Sequence, residues 1–291
     1  MSEKIYYGGQ AVIEGVMMRG KKARVTAVRS PHGQIITDTR PLSPFYTSWM
    51  RKTPFFRGVI VLVEAMILGI QSLLYSANVA LEEEGEEVSN KVLWSMLIVS
   101  LVFSVVVFFL APLFATRLID AASSSSVLFT LIEGLIRLAI FIVYLSVISL
   151  LPDIKRVFAY HGAEHKAVNA YEDGAPLEVE AVKAHSTAHT RCGTSFLFVV
   201  LVIAILVFTL VGLPSVWLMV LSRIVLIPVI ASISFEIIYL GARHHHNKLV
   251  KAVLAPGLWL QAMTTKEPDD GQLEVALEAL KRVTEIDQPG K

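Results

Sequence analysis

Two long stretches without a charged side chain constrain what this chain can fold into. Residues 92–116 contain 25 successive positions, and residues 192–222 contain 31, without Asp, Glu, Lys or Arg. A helix of about 20 apolar residues crosses a hydrocarbon core about 30 Å thick, and it satisfies its own backbone polar groups in lipid. The chain is 54% hydrophobic and 18% charged, whereas about a quarter of a soluble domain is charged. We therefore expect a helical protein that crosses a lipid bilayer several times.

The charge balance and the cysteine content exclude further classes. The net charge is only +1, so no overall positive field favours binding of nucleic acid, and we expect no nucleic-acid partner. The single cysteine, Cys192, excludes an intramolecular disulfide framework. The first forty residues lack the apolar core of a secretory signal.

Four crossing helices are predicted, at about Val92–Thr116, Val127–Leu151, Ser195–Val211 and Val216–Leu240. The last two are separated by Gly212–Ser215, a segment typical of a tight turn. Lys and Arg number ten in residues 1–57, five in 151–194 and seven in 241–291. Because basic flanks stay in the cytoplasm, both termini and the 151–194 loop are expected there.

The apolar segment 55–81 does not fit this count. Its polar residues Arg57, Glu64, Gln71 and Asn78 recur every seven positions and therefore share one stripe of a helix. If the segment crossed the membrane, every later loop would change sides, against the distribution of basic residues. We predict a re-entrant or interfacial helix whose polar stripe faces headgroups or the helix bundle, with a true span as the alternative.

The remaining segments are predicted to be cytoplasmic. In residues 1–54, Ala23–Val28 alternates apolar and polar side chains and is followed by a Pro/Gly turn and a second short strand, which indicates a hairpin. Near the C-terminus, Asp269 and Asp270 precede an amphipathic helix. The expected fold is an all-α polytopic membrane protein with four transmembrane helices, one re-entrant or interfacial helix and a small N-terminal β-rich cytoplasmic module. Its expected segments are residues 1–54, 55–81, 92–151, 152–194, 195–240 and 241–291.

A histidine motif between the second and third spans carries the predicted chemistry. His161 and His165 are one helical turn apart, so both imidazoles project from one face, as metal chelation requires. Glu164 lies beside them, which makes the inverted zincin pattern His-x-x-Glu-His. In that pattern the carboxylate is the general base of a metal-dependent hydrolase.

A second cluster follows about twenty residues later. His185, His189 and Cys192 are spaced i, i+4 and i+7, so on a helix they would share a face, and the two helices would form an antiparallel hairpin. Glu236, near the inner end of the last span, is a candidate for a distant further ligand. The predicted cofactor is a divalent metal, zinc above all, but the donors outnumber those that either a structural or a catalytic site needs. Both kinds of site stay open, as does a polar network without metal.

Four motifs of the chain resemble those of the YqhQ-like family of bacterial membrane proteins. They are residues 9–20 (Gly-Gln-Ala-Val-Ile-Glu-Gly-Val-Met-Met-Arg-Gly), residues 160–166 (Tyr-His-Gly-Ala-Glu-His-Lys), residues 191–195 (Arg-Cys-Gly-Thr-Ser) and residues 267–270 (Glu-Pro-Asp-Asp). The resemblance covers nearly the whole chain. It implies a multi-pass protein of the bacterial plasma membrane, described in that family as a predicted metal-dependent enzyme.

Two hypotheses for function follow. The first is a zinc-dependent membrane hydrolase, with Glu164 as catalytic base and metal ligands from the two histidine clusters; its substrate is not indicated by the sequence. The second is a non-enzymatic channel, transporter or scaffold, in which the polar stripe lines a path or a subunit seam and the histidines are structural. The stripe consists of Arg57, Glu64, Gln71 and Asn78. The expected partners are the lipid bilayer and, from small residues in the spans, further copies of the same chain.

Overall fold

The computed structural model describes residues 6–80, 90–119, 125–212, 216–243 and 247–289. Its N-terminal part is a four-stranded antiparallel sheet with strand order β1-β2-β3-β4. The predicted hairpin is confirmed as β3 and β4, paired from Ala23 opposite Pro41 to Arg29 opposite Ile35. The strands are β1 (Gly8–Val12), β2 (Gly15–Arg19), β3 (Ala23–Arg29) and β4 (Ile35–Pro41).

Helices make up most of the described chain. A π-helical turn at Val106–Leu110 joins α2 to α3, and two short 3-10 helices at Pro44–Thr47 and Trp49–Lys52 lead into α1. The α-helices are α1 (Phe56–Ala80), α2 (Asn90–Val105), α3 (Ala111–Ile119), α4 (Ser126–Ile148), α5 (Pro152–Asp173), α6 (Val179–Lys183), α7 (Gly193–Val211), α8 (Val216–Arg243), α9 (Lys248–Thr264) and α10 (Asp270–Asp287).

Four helices among the described residues are long and apolar enough to cross a membrane: α1, the continuous segment Trp94–Ile119, α4 and α7. Three of them match predicted spans. The fourth predicted span corresponds to α8, whose described apolar part, Val225–Gly241, is shorter. Helix α1 also has the length of a span, although the sequence favours a re-entrant or interfacial helix there. The acidic run 82–87 and most of the 212–215 turn lie outside the described residues.

The sheet is covered on both faces, and the period-two alternation of β3 decides which side chain faces which layer. Val25 and Ala27 join the core formed with α5 and α10. Val28 packs against Val79 of α1, and the Thr26 hydroxyl donates a hydrogen bond to the hydroxyl of Ser72 on the same helix. The order of layers is therefore α1, sheet, then α5 with α10.

Helix α1 presents two chemically different sides. Glu64, Ser72 and Ser76 are buried on the side that meets the sheet, and the Ser76 hydroxyl accepts a hydrogen bond from the Ile13 amide at 3.2 Å. The apolar side chains on the opposite side are exposed, with Met66 at 57%. The helix is thus amphipathic, with its polar side used inside the protein.

The predicted amphipathic helix near the C-terminus is confirmed. Asp269 begins α10 through a reciprocal capping box with Gln272, and the apolar side of the helix packs on the sheet. Within α4, Arg137 pairs with Glu133 one turn earlier. The Arg137 Nε also donates to the carbonyl of Phe108 in the π-helical turn, at 2.9 Å. Such pairing is what ionisable groups need in an apolar segment.

Candidate metal centre

Helix α5 places both histidines of the first motif. It begins with Pro152 in its first turn and ends at Gly174, whose φ of +73° suits glycine. The rings of His161 and His165 lie one turn apart, with centroids separated by 4.4 Å. His165 is buried and His161 is half-buried. The motif thus lies at the inner side of the helix, where it meets the rest of the fold.

Two backbone carbonyls fix the orientation of these rings. The Nδ1 of His161 donates to the carbonyl of Thr264 at 2.8 Å, and the Nδ1 of His165 donates to the carbonyl of Thr187 at 2.6 Å. Because a carbonyl oxygen only accepts, each Nδ1 carries a proton, and Nε2 is the nitrogen of each ring that remains for a metal. Metal-ligating histidines in proteins are oriented in this way by their second nitrogen.

Cys192 completes a group of three donors. Cys192 caps the N-terminus of α7, where its sulfur accepts a hydrogen bond from the Thr194 amide at 3.3 Å. The sulfur lies 3.3 Å from the Nε2 of His161. Two tetrahedral zinc ligands at ordinary Zn–N and Zn–S lengths would be about 3.5 Å apart. One donor atom each from His161, His165 and Cys192 lies within 4.8 Å of the others.

The environment of Cys192 favours its thiolate. Burial by itself raises the pKa of the thiol, but the hydrogen bond and charge of His165, with the Thr194 amide, outweigh burial and leave the pKa below its ordinary value. The thiolate is the form that binds metals. The donor set therefore consists of two imidazole nitrogens and one sulfur whose pKa is lowered.

Glu164 lies beside this group. Its side chain is buried, and Oε2 is 3.4 Å from the Nε2 of His165. Strand β1 makes room for it, because a Cβ at Gly9 would lie 2.9 Å from the Cγ of Glu164 and 2.4 Å from the carbonyl oxygen of Met17. The glycine of the N-terminal motif is thus required where the sheet approaches the carboxylate.

The predicted helix carrying His185, His189 and Cys192 is wrong. Helix α6 ends at Lys183, and Cys192 only caps the start of α7. The loop between them is held by α5 instead of by helical hydrogen bonds, because the Asn169 amide donates to the carbonyls of Ser186 and Ala188 at 2.7 and 3.0 Å.

The structure separates the two histidines of this loop. The Nδ1 of His185 donates to the carbonyl of Ala181 at 3.1 Å, and its Nε2 lies 3.5 Å from a carboxylate oxygen of Asp173, away from the cluster. The ring of His189 lies nearer, 5.6 Å from the ring of His165. Burial lowers the pKa of His189 more than Glu164 and Cys192 raise it, so this ring is neutral beside the three donors.

The other candidates have partners elsewhere. Glu236 on α8 accepts from Arg57 Nε at 2.7 Å and from the Phe55 amide at 3.2 Å, and so joins α8 to the start of α1. Glu64 pairs with Arg19 at 3.0 Å and also with Arg51. Arg57 and Glu64 therefore each form ion pairs within this chain.

Several supporting residues were not predicted from the sequence. Gly162 lets α5 approach the 264–267 segment, since a Cβ there would lie 2.0 Å from the carbonyl oxygen of Lys266. Gln261 exchanges hydrogen bonds with the backbone of His189, each at 2.9 Å. The carbonyls of Thr187 and Thr264 carry no sequence signal, because every residue has one. The glycine inside the histidine motif was the visible clue to a close approach.

The fold and the cluster together define a mostly helical protein with several apolar helices long enough to cross a membrane. A His/His/Cys group lies at the beginning of one of these helices, α7. The chain belongs to the family described as "Protein of unknown function (DUF1385)", whose model matches residues 53–286. It is 38% identical over 296 residues to "Uncharacterized protein YqhQ" of Bacillus subtilis (strain 168), covering 97% of this chain and 93% of that relative. The resemblance to the YqhQ-like family is thereby confirmed. No solved structure matches the chain.

Proposed function

We propose that this protein is a zinc-dependent hydrolase at the cytoplasmic face of the bacterial plasma membrane. His161, His165 and Cys192 are the proposed ligands, and Glu164 is the proposed general base. The observation that carries this proposal is the pair of Nδ1–H···O=C hydrogen bonds, which leave Nε2 as the metal-binding nitrogen of each ring, close to the sulfur of Cys192.

The type of donor supports zinc. Imidazole and thiolate suit zinc, whereas magnesium and calcium prefer oxygen ligands. Three protein ligands leave one tetrahedral position open, as in catalytic zinc sites. A zinc ion there would supply the Lewis acidity that makes water a nucleophile near neutral pH. The Glu164 carboxylate, 3.4 Å from the Nε2 of His165, is the residue that would accept a proton from water activated at such a site.

The contacts of α1 support a membrane arrangement with the continuous segment Trp94–Ile119, α4, α7 and α8 as the four crossings. If α1 also crossed, the sheet fixed to its polar side would enter the hydrocarbon core, with the unpaired strand edges and charges that lipid does not tolerate. An α1 lying in the plane of the inner interface buries its apolar side in lipid and keeps the sheet in the cytoplasm. With four crossings both termini lie on the same side of the membrane, and the Lys and Arg residues of the flanking segments favour the cytoplasm.

The depth of α1 is measurable with an environment-sensitive fluorophore. A Met66→Cys chain labelled with a nitrobenzoxadiazole maleimide is expected to be quenched more by lipids with a nitroxide near the headgroup than by lipids with one near the chain end. The wild type is the labelling control, because its single cysteine, Cys192, is buried. The strongest quenching at the bilayer centre would contradict the in-plane placement.

Replacing the base separates catalysis from metal binding. With 4-nitrophenyl acetate as probe, Glu164→Gln is expected to lower zinc-dependent hydrolysis by about 10²–10⁴-fold, the usual contribution of a general base. Its zinc content is expected to stay at the wild-type level. The control is Glu180→Gln, which changes an exposed carboxylate of the same cytoplasmic segment. Loss of zinc from Glu164→Gln would show that Glu164 is a ligand and not the base.

One observation favours a second candidate function. His165, Glu164 and Cys192 are all nearly inaccessible to solvent, as in closed structural zinc sites. In a non-enzymatic, oligomeric scaffold, the metal would join α5 to the start of α7 and Glu164 would be its fourth ligand. Zinc-loaded wild-type protein without hydrolysis of the probe would support this alternative and contradict the hydrolase.

A further inference from the structure

A cleft of about 640 Å³ lies between α1 and the β3–β4 edge of the sheet. Its two walls differ in chemistry. Arg24, Asp38 and Arg40 line the sheet side, and Ile67, Gln71 and Leu74 line the helix side. A cavity with a cationic wall and an apolar wall matches a ligand that has an anionic group at one end and hydrocarbon at the other.

The charged wall carries an excess of one positive charge. Arg24 is buried, and its guanidinium donates to the neutral side chains of Ser72, Thr26 and Gln71. Its closest carboxylate oxygen, on Asp38, is 3.9 Å away. Arg40 donates from Nε to both oxygens of Asp38, at 2.9 and 3.1 Å. Two guanidinium groups therefore share one carboxylate at the cleft.

The cleft lies at a defined position around α1. At about 100° per residue, Ile67, Gln71 and Leu74 fall between the side that meets the sheet and the exposed apolar side that contains Met66 and Ile70. For an in-plane helix, this flank is where headgroups meet acyl chains. The polar wall then faces the headgroup layer, and the apolar wall continues into the hydrocarbon.

We propose that this cleft binds one anionic phospholipid, with its phosphate between Arg24 and Arg40 and its acyl chains along Ile67 and Leu74. Guanidinium groups suit phosphate because they offer several donors in a fixed plane. The bilayer supplies this ligand at the place where the cleft opens. The inference rests on the in-plane placement of α1 proposed above and is independent of the metal centre.

Lipid binding by the delipidated full chain in detergent tests the proposal. Dioleoyl phosphatidylglycerol is expected to bind about tenfold more tightly than dioleoyl phosphatidylcholine, as counted by native mass spectrometry. Arg40→Gln is expected to remove most of this preference, because a charged hydrogen bond contributes about one order of magnitude in affinity. The matched control is Arg282→Gln, which removes an exposed arginine paired with Glu278 on α10. Equal binding of the two lipids, or equal loss in both variants, would overturn the proposal.

The Asp38 carboxylate provides a second test, because a purely structural role of Arg24 and Arg40 does not predict tighter lipid binding when Asp38 is neutralised. Asp38→Asn is expected to increase phosphatidylglycerol affinity severalfold, because Asp38 competes with phosphate for both arginines. Displacement of the lipid by inorganic phosphate at millimolar concentration would assign the cleft to a soluble anion and overturn the lipid. If the lipid-binding test fails while the label at residue 66 is quenched most strongly near the headgroups, only the lipid site is overturned and the in-plane placement of α1 stands. If that label is quenched most strongly at the bilayer centre, the placement of α1 is itself overturned.

Discussion

Replacing Cys192 by serine is expected to weaken zinc binding by more than about 100-fold, because even changes to groups that only orient the ligands cost 10–100-fold. The sulfur is the softest of the three donors and lies 3.3 Å from the Nε2 of His161. A serine hydroxyl is a poor substitute for a thiolate at neutral pH. The affinity is measured by competition with a chromogenic zinc chelator on purified protein.

His185→Ala is the matched control for this experiment. His185 was among the predicted ligands, but its nitrogens contact Ala181 and Asp173 and not the cluster. Its loss is expected to leave the zinc affinity unchanged within a factor of about three. Equally weakened zinc binding in both variants would place the metal in the 184–192 loop. Unchanged zinc binding in Cys192→Ser would show that the sulfur is not a ligand.

The second large effect is expected at Glu64, which joins α1 to the sheet and to the segment that precedes α1. Its buried carboxylate pairs with Arg19 and Arg51. Glu64→Gln leaves two guanidinium groups without their counter-charge, and breaking a buried pair costs about 3–5 kcal/mol. We expect about 3 kcal/mol, the lower end, because both arginine side chains keep partial contact with water.

Denaturant unfolding in detergent, followed by fluorescence, measures this loss. Glu278→Gln is the control, because it removes the partner of Arg282 from an exposed pair, and such pairs contribute about 0–1 kcal/mol. Similar losses in the two variants would contradict the anchoring role of Glu64. They would also weaken the case that the polar side of α1 is fixed to the sheet.

The parts of the site that are close in sequence were predictable. His161, Glu164 and His165 lie within two helical turns, so their spacing alone fixed a common face. The pairing of Arg137 with Glu133 and the cap at Asp269 follow from the same local rules. Each of these predictions needs only the geometry of one helix.

The predictions that failed needed knowledge of packing. The spacing of His185, His189 and Cys192 also fits a helix, but side chains of α5 hold the loop backbone in another conformation. The stripe through Arg57 and Glu64 was recognised, whereas its partners, Glu236 and Arg19, lie far away in sequence. A polar stripe predicts that something polar covers it, but not which element does so.

The layered arrangement of α1, the sheet, α5 and α10 sets the order in which this part of the fold is completed during synthesis. The strands end at Pro41, yet one face of the sheet is covered by α10, which begins at Asp270, roughly 230 residues later. At 5–20 residues per second, the ribosome needs about 10–45 s to make the intervening chain. The earliest strands therefore remain without their final cover until the last helix has left the ribosome.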